Sequence, residues 1–289
     1  MVRHIIFSFF IVSSLAVSSA HSKDWDNQQY DKTSNLLFTT GVLLATNYFK
    51  ISHKGKIVDL CCRTGRFTRW LKKNIVPKGH VTGIDYRQNM IDQANRKLSK
   101  KDKKKLTFQL QDIRNLNFTK KLDGAISIDD LDLIETSEDM KRVIDGIAKN
   151  LKSGGKFIAL FGLYDAQRYP NSEHCITKEI IESEEWEQYY SNEFEKKKAL
   201  TIQDYRKLLN AADFDNPLIM IKSVLAQEVS HEELIHTLFK TPFGRVIPQS
   251  CREEFATMIL SKFRELGLQN EDGTFKQEIN YGVIIATKR

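Results

Sequence analysis

The sequence predicts an α/β protein whose mostly parallel, seven-stranded sheet is covered by helices on both faces. Apolar runs of strand length alternate along the chain with segments whose apolar residues recur at helical spacing. The run "LDGAISID" carries no charge in its middle, as expected for a strand with both faces covered. The composition is globular, with 41% hydrophobic and 28% charged residues over 289 positions, and suits one large domain with insertions.

Each element is predicted from its own pattern, in chain order. A helical lead-in over 36–49 precedes the strand "KIVDLC", a helix over 65–74, the strand "HVTGID" and a helix over 87–100. The strands "LTFQLQD" and "LDGAISID" follow, and Thr136 with Asp139 forms a capping box that opens the next helix. The motif "SGG" ends that helix before the strand "KFIALFG". A further helix precedes the last two strands, "PLIMIKSV" and "INYGVIIATKR".

The first residues have a different character from the rest of the chain. The basic start "MVRH", the apolar run "IIFSFFIVSSLAV" and the small residues "SSA" predict a secretory signal peptide over 1–20. The protein is then expected to be exported, periplasmic or secreted, with no stable membrane span after cleavage; it is cytoplasmic if the signal is not used. One domain is predicted over 24–289, with cap-like insertions near 165–200 and 225–275.

Charge and cysteine content exclude some classes of function. The net charge is +7, but the basic runs lack interleaved aromatic residues, so a solvated surface is expected rather than a nucleic-acid site. Cys61 and Cys62 are adjacent, and a bridge between neighbours is strained. Whether Cys175 and Cys251 are bridged is open. The absence of a Cys-x-x-Cys spacing argues against structural zinc, and no metal site is predicted.

The loops that follow parallel strands lie along one edge of a sheet, where ligands bind in such folds. Here those loops carry Asp59–Gly65, Asp85, Asp112, Asp129–Asp132 and Gly162–Tyr164. Asp85 ends the second strand, where a carboxylate can accept from both hydroxyls of a ribose; a helix cap is its competing role. Asp112 ends the third strand, where it is a candidate acceptor for an adenine amino group.

Six segments together resemble a known family: "VDLCCRTGRFTRWL", "VTGIDYRQNMIDQA", "LQDIRNLNF", "LDGAISIDDLDLIE", "LKSGGKFIALFG" and "TIQDYRKLLNAADF". In order and spacing they are similar to the motifs of class I S-adenosylmethionine-dependent methyltransferases. The later part of the chain looks like the small-molecule branch that includes trans-aconitate and juvenile-hormone-acid methyltransferases. The resemblance runs from about Trp25 to Arg289 and implies a Rossmann-like, doubly wound fold with S-adenosyl-L-methionine as cofactor.

The resemblance also implies roles for individual residues. By this resemblance, the turn around the methionine part of the cofactor would consist of Asp59, Leu60, Cys61, Arg63 and Gly65. Asp85 would hold the ribose, and the adenine would contact Tyr86, Met90, Asp112 and Ile113. Ser127 and Ile128 would line the pocket near the sulfonium.

Two positions of the first turn depart from the family pattern D-x-G-x-G-x-G. The chain has Cys61 and Arg63 where the pattern has glycine, which lets a backbone approach a ligand and adopt unusual dihedral angles. Cys61 adds only a small side chain. If Arg63 points outward, its effect is limited to backbone strain. If it points inward, it pairs with the cofactor carboxylate or takes the cofactor's place.

The acceptor side departs from the family as well. Relatives in the small-molecule branch often have a histidine pair or His-Trp where this chain has Asp132 and Leu133. An acidic wall there would disfavour acceptors that are themselves carboxylates. The catalytic residues are unknown, and the candidates for a general base are Asp129, Asp130, Tyr164 and His174.

Two functions of different class fit these observations. The first is a methyltransferase that moves a methyl group to a small-molecule acceptor by direct displacement. The second is an exported, non-catalytic relative with a degraded cofactor turn, which binds a ligand or a partner. A nicotinamide-dependent oxidoreductase is disfavoured because the G-x-G-x-x-G spacing is absent. The oligomeric state and the acceptor are not predicted.

Overall fold

The computed structural model describes residues 35–99, 101–134, 136–163, 173–189, 200–239, 244 and 246–289. The predicted signal peptide, 1–20, lies outside these residues. No helix within the described ranges is long and apolar enough to cross a membrane.

Seven strands form one sheet, as the sequence predicts. They are β1 (Lys56–Leu60), β2 (His80–Asp85), β3 (Leu106–Leu110), β4 (Leu122–Ile128), β5 (Leu151–Gly162), β6 (Phe214–Val229) and β7 (Phe275–Lys288). Their order across the sheet is β3-β2-β1-β4-β5-β7-β6. The first five strands run parallel, and β7 lies antiparallel between β5 and β6. The order reverses between β1 and β4, which puts the switch point at the ends of those two strands.

Helices cover both faces of the sheet and form a separate group beyond it. They are α1 (Asn35–Tyr48), α2 (Arg66–Asn74), α3 (Gln88–Arg96), α4 (Ser137–Asn150), α5 (Glu173–Ile181), α6 (Ile202–Ala211), α7 (His231–Leu238) and α8 (Arg252–Glu265). One hydrophobic cluster packs α4 and α6 on one face of the sheet, and another packs α1, α2 and α3 on the opposite face. The predicted doubly wound architecture is confirmed.

The segments predicted as cap-like insertions contribute a third hydrophobic cluster. It joins α5, α7 and α8 around Trp186, Phe255 and Phe263, each at most 2% exposed. The outer parts of β6 and β7 also belong to this region, since Val229 and Phe275 pair with each other and are both buried in the cluster. The cap helices therefore have a core of their own, separate from the two clusters on the sheet.

Two helices end earlier than the sequence predicts, and the last two strands, β6 and β7, begin earlier than the predicted "PLIMIKSV" and "INYGVIIATKR". Helix α3 ends at Arg96 rather than near Lys100, because Lys97 leaves helical geometry with ψ 0° while its N–H still bonds to Gln93. Helix α4 ends at Asn150, before the motif "SGG", because Leu151 is already extended and pairs with Leu122. The glycines therefore lie inside β5, where the pairing with β4 shifts register.

Candidate active site at the strand edge

The carboxyl ends of β1, β2 and β4 meet in the middle of the sheet. Leu60, the last residue of β1, pairs with Ile84 on one side and Ser127 on the other. The turn that follows β1 stays close to β2, because the Cys62 N–H donates to the Ile84 carbonyl at 2.7 Å. Strand-end residues from three neighbouring strands are therefore brought to one place.

The turn between β1 and α2 keeps the backbone shape that favours glycine. Cys61 and Arg63 have φ of 55° and 52°, in the left-handed region, and Gly65 has φ 72°. Each non-glycine residue in this region costs about 1–2 kcal/mol. A side chain is excluded at Gly65, where an added Cβ would lie 2.4 Å from the Phe108 ring. The sequence departs from the glycine pattern at two positions, but the conformation of the turn does not.

The Arg63 side chain points inward, and it is 11% exposed. Its Nη2 donates to the Asp129 carbonyl at 2.5 Å and to Asp130 Oδ1 at 2.9 Å. Arg63 thus connects the turn after β1 to the end of β4 through the chain's own carboxylate. Of the alternatives left open by the sequence, the inward orientation is the one observed.

Asp85 is fully buried and accepts from several donors. The Arg87 side chain donates to both carboxylate oxygens, from Nε to Oδ1 and from Nη2 to Oδ2, each at 2.9 Å. The backbone N–H of Arg87 donates to Oδ1 at 3.0 Å, and that of Arg63 donates to Oδ2 at 2.9 Å. Asp85 therefore ties together the turn after β1, the end of β2 and the start of α3.

Asp112 lies at the same edge but is engaged differently. It caps a short 3₁₀ turn over 113–115 by accepting from the Arg114 N–H at 2.8 Å. Arg114 also binds the Asp112 carboxylate and reaches Asp139 at the start of α4, 3.6 Å away. The bonds to Arg114, opposed by partial burial, hold the pKa of Asp112 below its usual range.

Asp59 is buried inside the edge. It accepts from the Thr68 hydroxyl of α2 at 2.6 Å. Burial raises the pKa of Asp59 to about 7, although the Thr68 bond and the nearby Arg63 charge oppose this shift. The Asp59 side chain thus holds the first turn of α2 against the end of β1.

The residues after β4 form an acidic wall. Asp129 has φ 63° and is 27% exposed, whereas Asp130 is 4% exposed. Burial raises the pKa of both carboxyls, and Arg63 opposes the shift in each. Asp130 Oδ2 and the buried Ser127 Oγ have no hydrogen-bond partner among the residues that the structure describes. Polar atoms of this kind are suited to bind an incoming polar group.

A small cavity lies between this edge and α1. Its volume is about 40 Å³, and Phe38, Asp59, Cys61, Arg63, Arg66 and Ile128 line it. That volume exceeds the minimum of about 10–15 Å³ that a single water needs, so the cavity can hold ordered water. The Arg66 guanidinium lies 4.0 Å from the centre of the Phe38 ring, so α1 closes this side of the edge.

The other predicted site residues have different surroundings. Leu60, Met90 and Ile113 are at most 5% exposed and belong to the interior, whereas Tyr86 is 57% exposed. Tyr164 lies outside the described residues; His174 lies in α5, but its side chain is not among those described. Asp129 and Asp130 are the general-base candidates that the structure brings to the edge.

Sequence reasoning missed Arg87, Arg66 and Thr68. The signal that could have identified Arg87 is a repeated Asp-x-Arg spacing, present at 85–87 and again at 112–114, after two neighbouring strands. No cluster of three or more metal-binding side chains occurs in the described part of the chain.

The strand edge has three features that suit S-adenosylmethionine and one that does not. The left-handed turn and the close packing at Gly65 fit a nucleoside-bearing cofactor, as do Ser127 Oγ and Asp130 Oδ2, which have no partner within the described part of the chain. The disagreement is at Asp85, whose oxygens are already bonded to Arg87.

Comparison with known proteins agrees with the geometry. Residues 57–155 match a family model described as a methyltransferase domain. The demethylmenaquinone methyltransferase of Lactococcus lactis is 31% identical over 105 residues, which is 36% of this chain and 40% of that protein. The Lactobacillus johnsonii enzyme of the same name is 27% identical over 59% of this chain and 66% of its own length. The chain thus matches less than two thirds of each relative.

A solved structure shows the same fold. Phosphoethanolamine N-methyltransferase 2 of Haemonchus contortus, in complex with phosphomonomethylethanolamine and S-adenosylhomocysteine, superposes with a TM-score of 0.55 at 14% identity. The match covers 91% of this chain and 57% of that one. Residues 57–155 thus match a methyltransferase domain, and the chain as a whole shares the Rossmann-like fold of this solved structure.

Proposed function

We propose that the protein is an S-adenosylmethionine-dependent methyltransferase that acts on a small molecule. The observation that carries this proposal is the turn after β1, which keeps left-handed geometry at Cys61 and Arg63 although neither is glycine. A conformation that costs about 1–3 kcal/mol per residue persists only when the surroundings enforce it, and such strain clusters at ligand sites.

The chain's own residues have distinct tasks in this proposal. The turn offers backbone to the methionine part of the cofactor, Asp85 is the acceptor for the ribose, and Ser127 faces the same edge with a buried hydroxyl. The cofactor supplies the activated methyl group, so the protein mainly aligns donor and acceptor. Asp129, partly exposed and with a raised pKa, is positioned to take a proton from an acceptor that carries one.

A small-molecule acceptor is supported by the names of the similar proteins, which contain demethylmenaquinone and phosphoethanolamine. Membership of the branch with trans-aconitate and juvenile-hormone-acid methyltransferases rests on the resemblance of the later motifs. Asp129 and Asp130 bring two acidic groups to the edge against the single positive charge of Arg63, which favours neutral or cationic acceptors over carboxylates. Export through a cleaved signal over 1–20 is part of the same proposal and rests on the sequence pattern.

One observation favours a second candidate, a non-catalytic ligand-binding protein. Arg87 already binds the carboxylate expected to hold the ribose. Isothermal titration with S-adenosylmethionine, S-adenosylhomocysteine and NAD separates the candidates. We expect micromolar or tighter binding of the first two and none of NAD. Absence of binding for all three would contradict the methyltransferase proposal.

A further inference from the structure

The carboxylate of Asp85 has no position left for a further donor. A carboxylate offers about four lone-pair positions, and the structure shows four donors on Asp85. The residue is 0% exposed, so solvent does not reach it from another direction. A ribose can therefore bind to Asp85 only if at least one present donor leaves.

The donors differ in how easily they can leave. The N–H groups of Arg63 and Arg87 belong to the backbone of the turn and of the helix start, so their removal requires refolding of those segments. The Arg87 guanidinium is a side chain, and it contributes both remaining bonds in the bidentate geometry that suits a carboxylate. Rotation of one side chain would free two acceptor positions, as a ribose diol requires.

We propose that Arg87 competes with the cofactor ribose for Asp85, so that release of the Arg87 guanidinium sets the cofactor affinity of this chain. This inference rests on the proposed function, because it presupposes a ribose-bearing cofactor at the strand edge. Arg87 is thereby a specificity-determining residue rather than a catalytic one.

The surroundings offer the released guanidinium one contact that it already has and one new partner. The Tyr86 ring, 57% exposed, has its centre 5.3 Å from the Arg87 guanidinium carbon. Stacking over an exposed ring is favourable for a guanidinium. Asp130 Oδ2 is buried with no hydrogen-bond partner in the described ranges, and Asp130 is near enough to influence Arg87 electrostatically. The Arg87 guanidinium can therefore keep its contact with the Tyr86 ring when it leaves Asp85, and Asp130 is the new partner within electrostatic reach.

Arg63 is not a second competitor of this kind. Its guanidinium binds Asp129 and Asp130, while only its backbone N–H binds Asp85. The two arginines therefore have separate effects, and a change at residue 87 leaves the contact between Arg63 and the end of β4 in place.

The test compares three variants of the full chain with the wild type. Arg87→Gln removes the guanidinium that binds both oxygens of Asp85 but keeps the backbone N–H donor of residue 87. Arg87→Lys keeps the charge without bidentate geometry. Arg96→Gln is the matched control, since Arg96 is an exposed arginine at the far end of the helix that follows Arg87. Each is titrated calorimetrically with S-adenosylhomocysteine and with its 2′,3′-dideoxy analogue, after thermal unfolding has shown that it is folded.

The proposal predicts that Arg87→Gln binds S-adenosylhomocysteine about 10- to 100-fold more tightly than the wild type. That range corresponds to a competent state populated at about 1–10% in the wild type. Arg87→Lys raises the affinity for S-adenosylhomocysteine by a smaller factor, and the affinity of Arg96→Gln stays within about twofold of the wild type. For the dideoxy analogue, wild type and Arg87→Gln bind equally. If Arg87→Gln does not fold, Arg87→Lys carries the same comparison.

The possible failures are distinguishable. If the wild type binds and the Arg87 variants bind equally or more weakly, the competition is wrong and the proposed function stands. If Arg87→Gln raises the affinity for S-adenosylhomocysteine and for the dideoxy analogue by the same factor, Arg87 obstructs the site without competing for Asp85. The inference is then wrong as well. If no variant binds either ligand, both the inference and the proposed function fail.

Discussion

The ends of β2 and β3 contain the same pair of residues in different surroundings. Asp85 with Arg87 and Asp112 with Arg114 share the Asp-x-Arg spacing, and in each pair Nε of the arginine donates to Oδ1 and Nη2 to Oδ2 of the aspartate. The first pair has side chains 9% exposed for Arg87 and 0% for Asp85. The second has side chains 47% and 31% exposed.

Burial decides what each pair does. An exposed ion pair contributes about 0–1 kcal/mol, because water and salt screen it. A buried pair adds little net stability, but removal of one partner leaves an uncompensated charge in the interior. The pair after β3 is therefore a local link to α4, whereas the pair after β2 is the one that we propose to limit access to the Asp85 carboxylate.

The largest expected effect comes from breaking each pair at its carboxylate. Asp85→Asn leaves the buried Arg87 guanidinium without its counterion and should lower the free energy of unfolding by about 3–5 kcal/mol. Asp112→Asn removes a partner from a half-exposed arginine and should cost less than about 1 kcal/mol. Urea unfolding followed by circular dichroism measures both values. Equal losses would show that burial does not distinguish the two pairs.

Asp59 is a buried carboxyl that is bonded to the Thr68 hydroxyl and, within the described residues, has no bidentate arginine, which makes it a useful contrast to Asp85. The pKa of Asp59 is raised from 3.8 to about 7, so its ionisation disfavours the folded state. The contribution of the protonated Asp59 carboxyl to the free energy of unfolding is complete below pH 3.8 and is lost as the pH rises to about 7. Asp59→Asn removes this loss while keeping an acceptor for Thr68.

The expected result is that Asp59→Asn gains about 2–4 kcal/mol relative to the wild type between pH 4 and pH 8. Unfolding curves for both proteins across that range provide the measurement. Asp59 is the ionisable group by which the two proteins differ, so the pH dependence of the difference in unfolding free energy reports its ionisation. A difference that does not change with pH would mean that Asp59 is ionised at its ordinary pKa.

The smallest effect concerns the backbone of the turn next to the buried pair. Cys61 has φ 55°, whereas Cys62 is not among the positive-φ residues. At position 61, glycine should therefore be more stable than alanine by about 1 kcal/mol. At position 62 the order should reverse, since glycine adds unfolded-state entropy without relieving strain. Thermal unfolding of the four variants gives the comparison, and the same order at both positions would contradict the left-handed turn.

The sequence predicted the sheet well because strands with both faces covered have a clear signature. The five parallel strands and the edge with Asp59, Asp85 and Asp129 follow from apolar runs and the rule for parallel connections. The helix ends at Arg96 and Asn150 were less predictable, because local geometry and strand pairing decide them.

The arrangement of charges at the edge was not predictable from patterns. Asp85 could be assigned to a ribose because position alone suggests it, but its bond to Arg87 depends on a side-chain direction. Likewise, the sequence left open whether Arg63 points outward or inward, and the carboxylate of Asp130 across the edge decides it. Spacing identifies which residues reach an edge, whereas burial and rotamers determine which partners they choose.

The central claim is that this strand edge binds a ribose-bearing cofactor at Asp85 once Arg87 releases it. A crystal structure of the wild-type protein with S-adenosylhomocysteine tests this most directly. The account predicts both ribose hydroxyls on the Asp85 carboxylate, with the Arg87 guanidinium moved toward Asp130 and the Asp112–Arg114 pair intact. A bound cofactor beside an unbroken Asp85–Arg87 pair would contradict it.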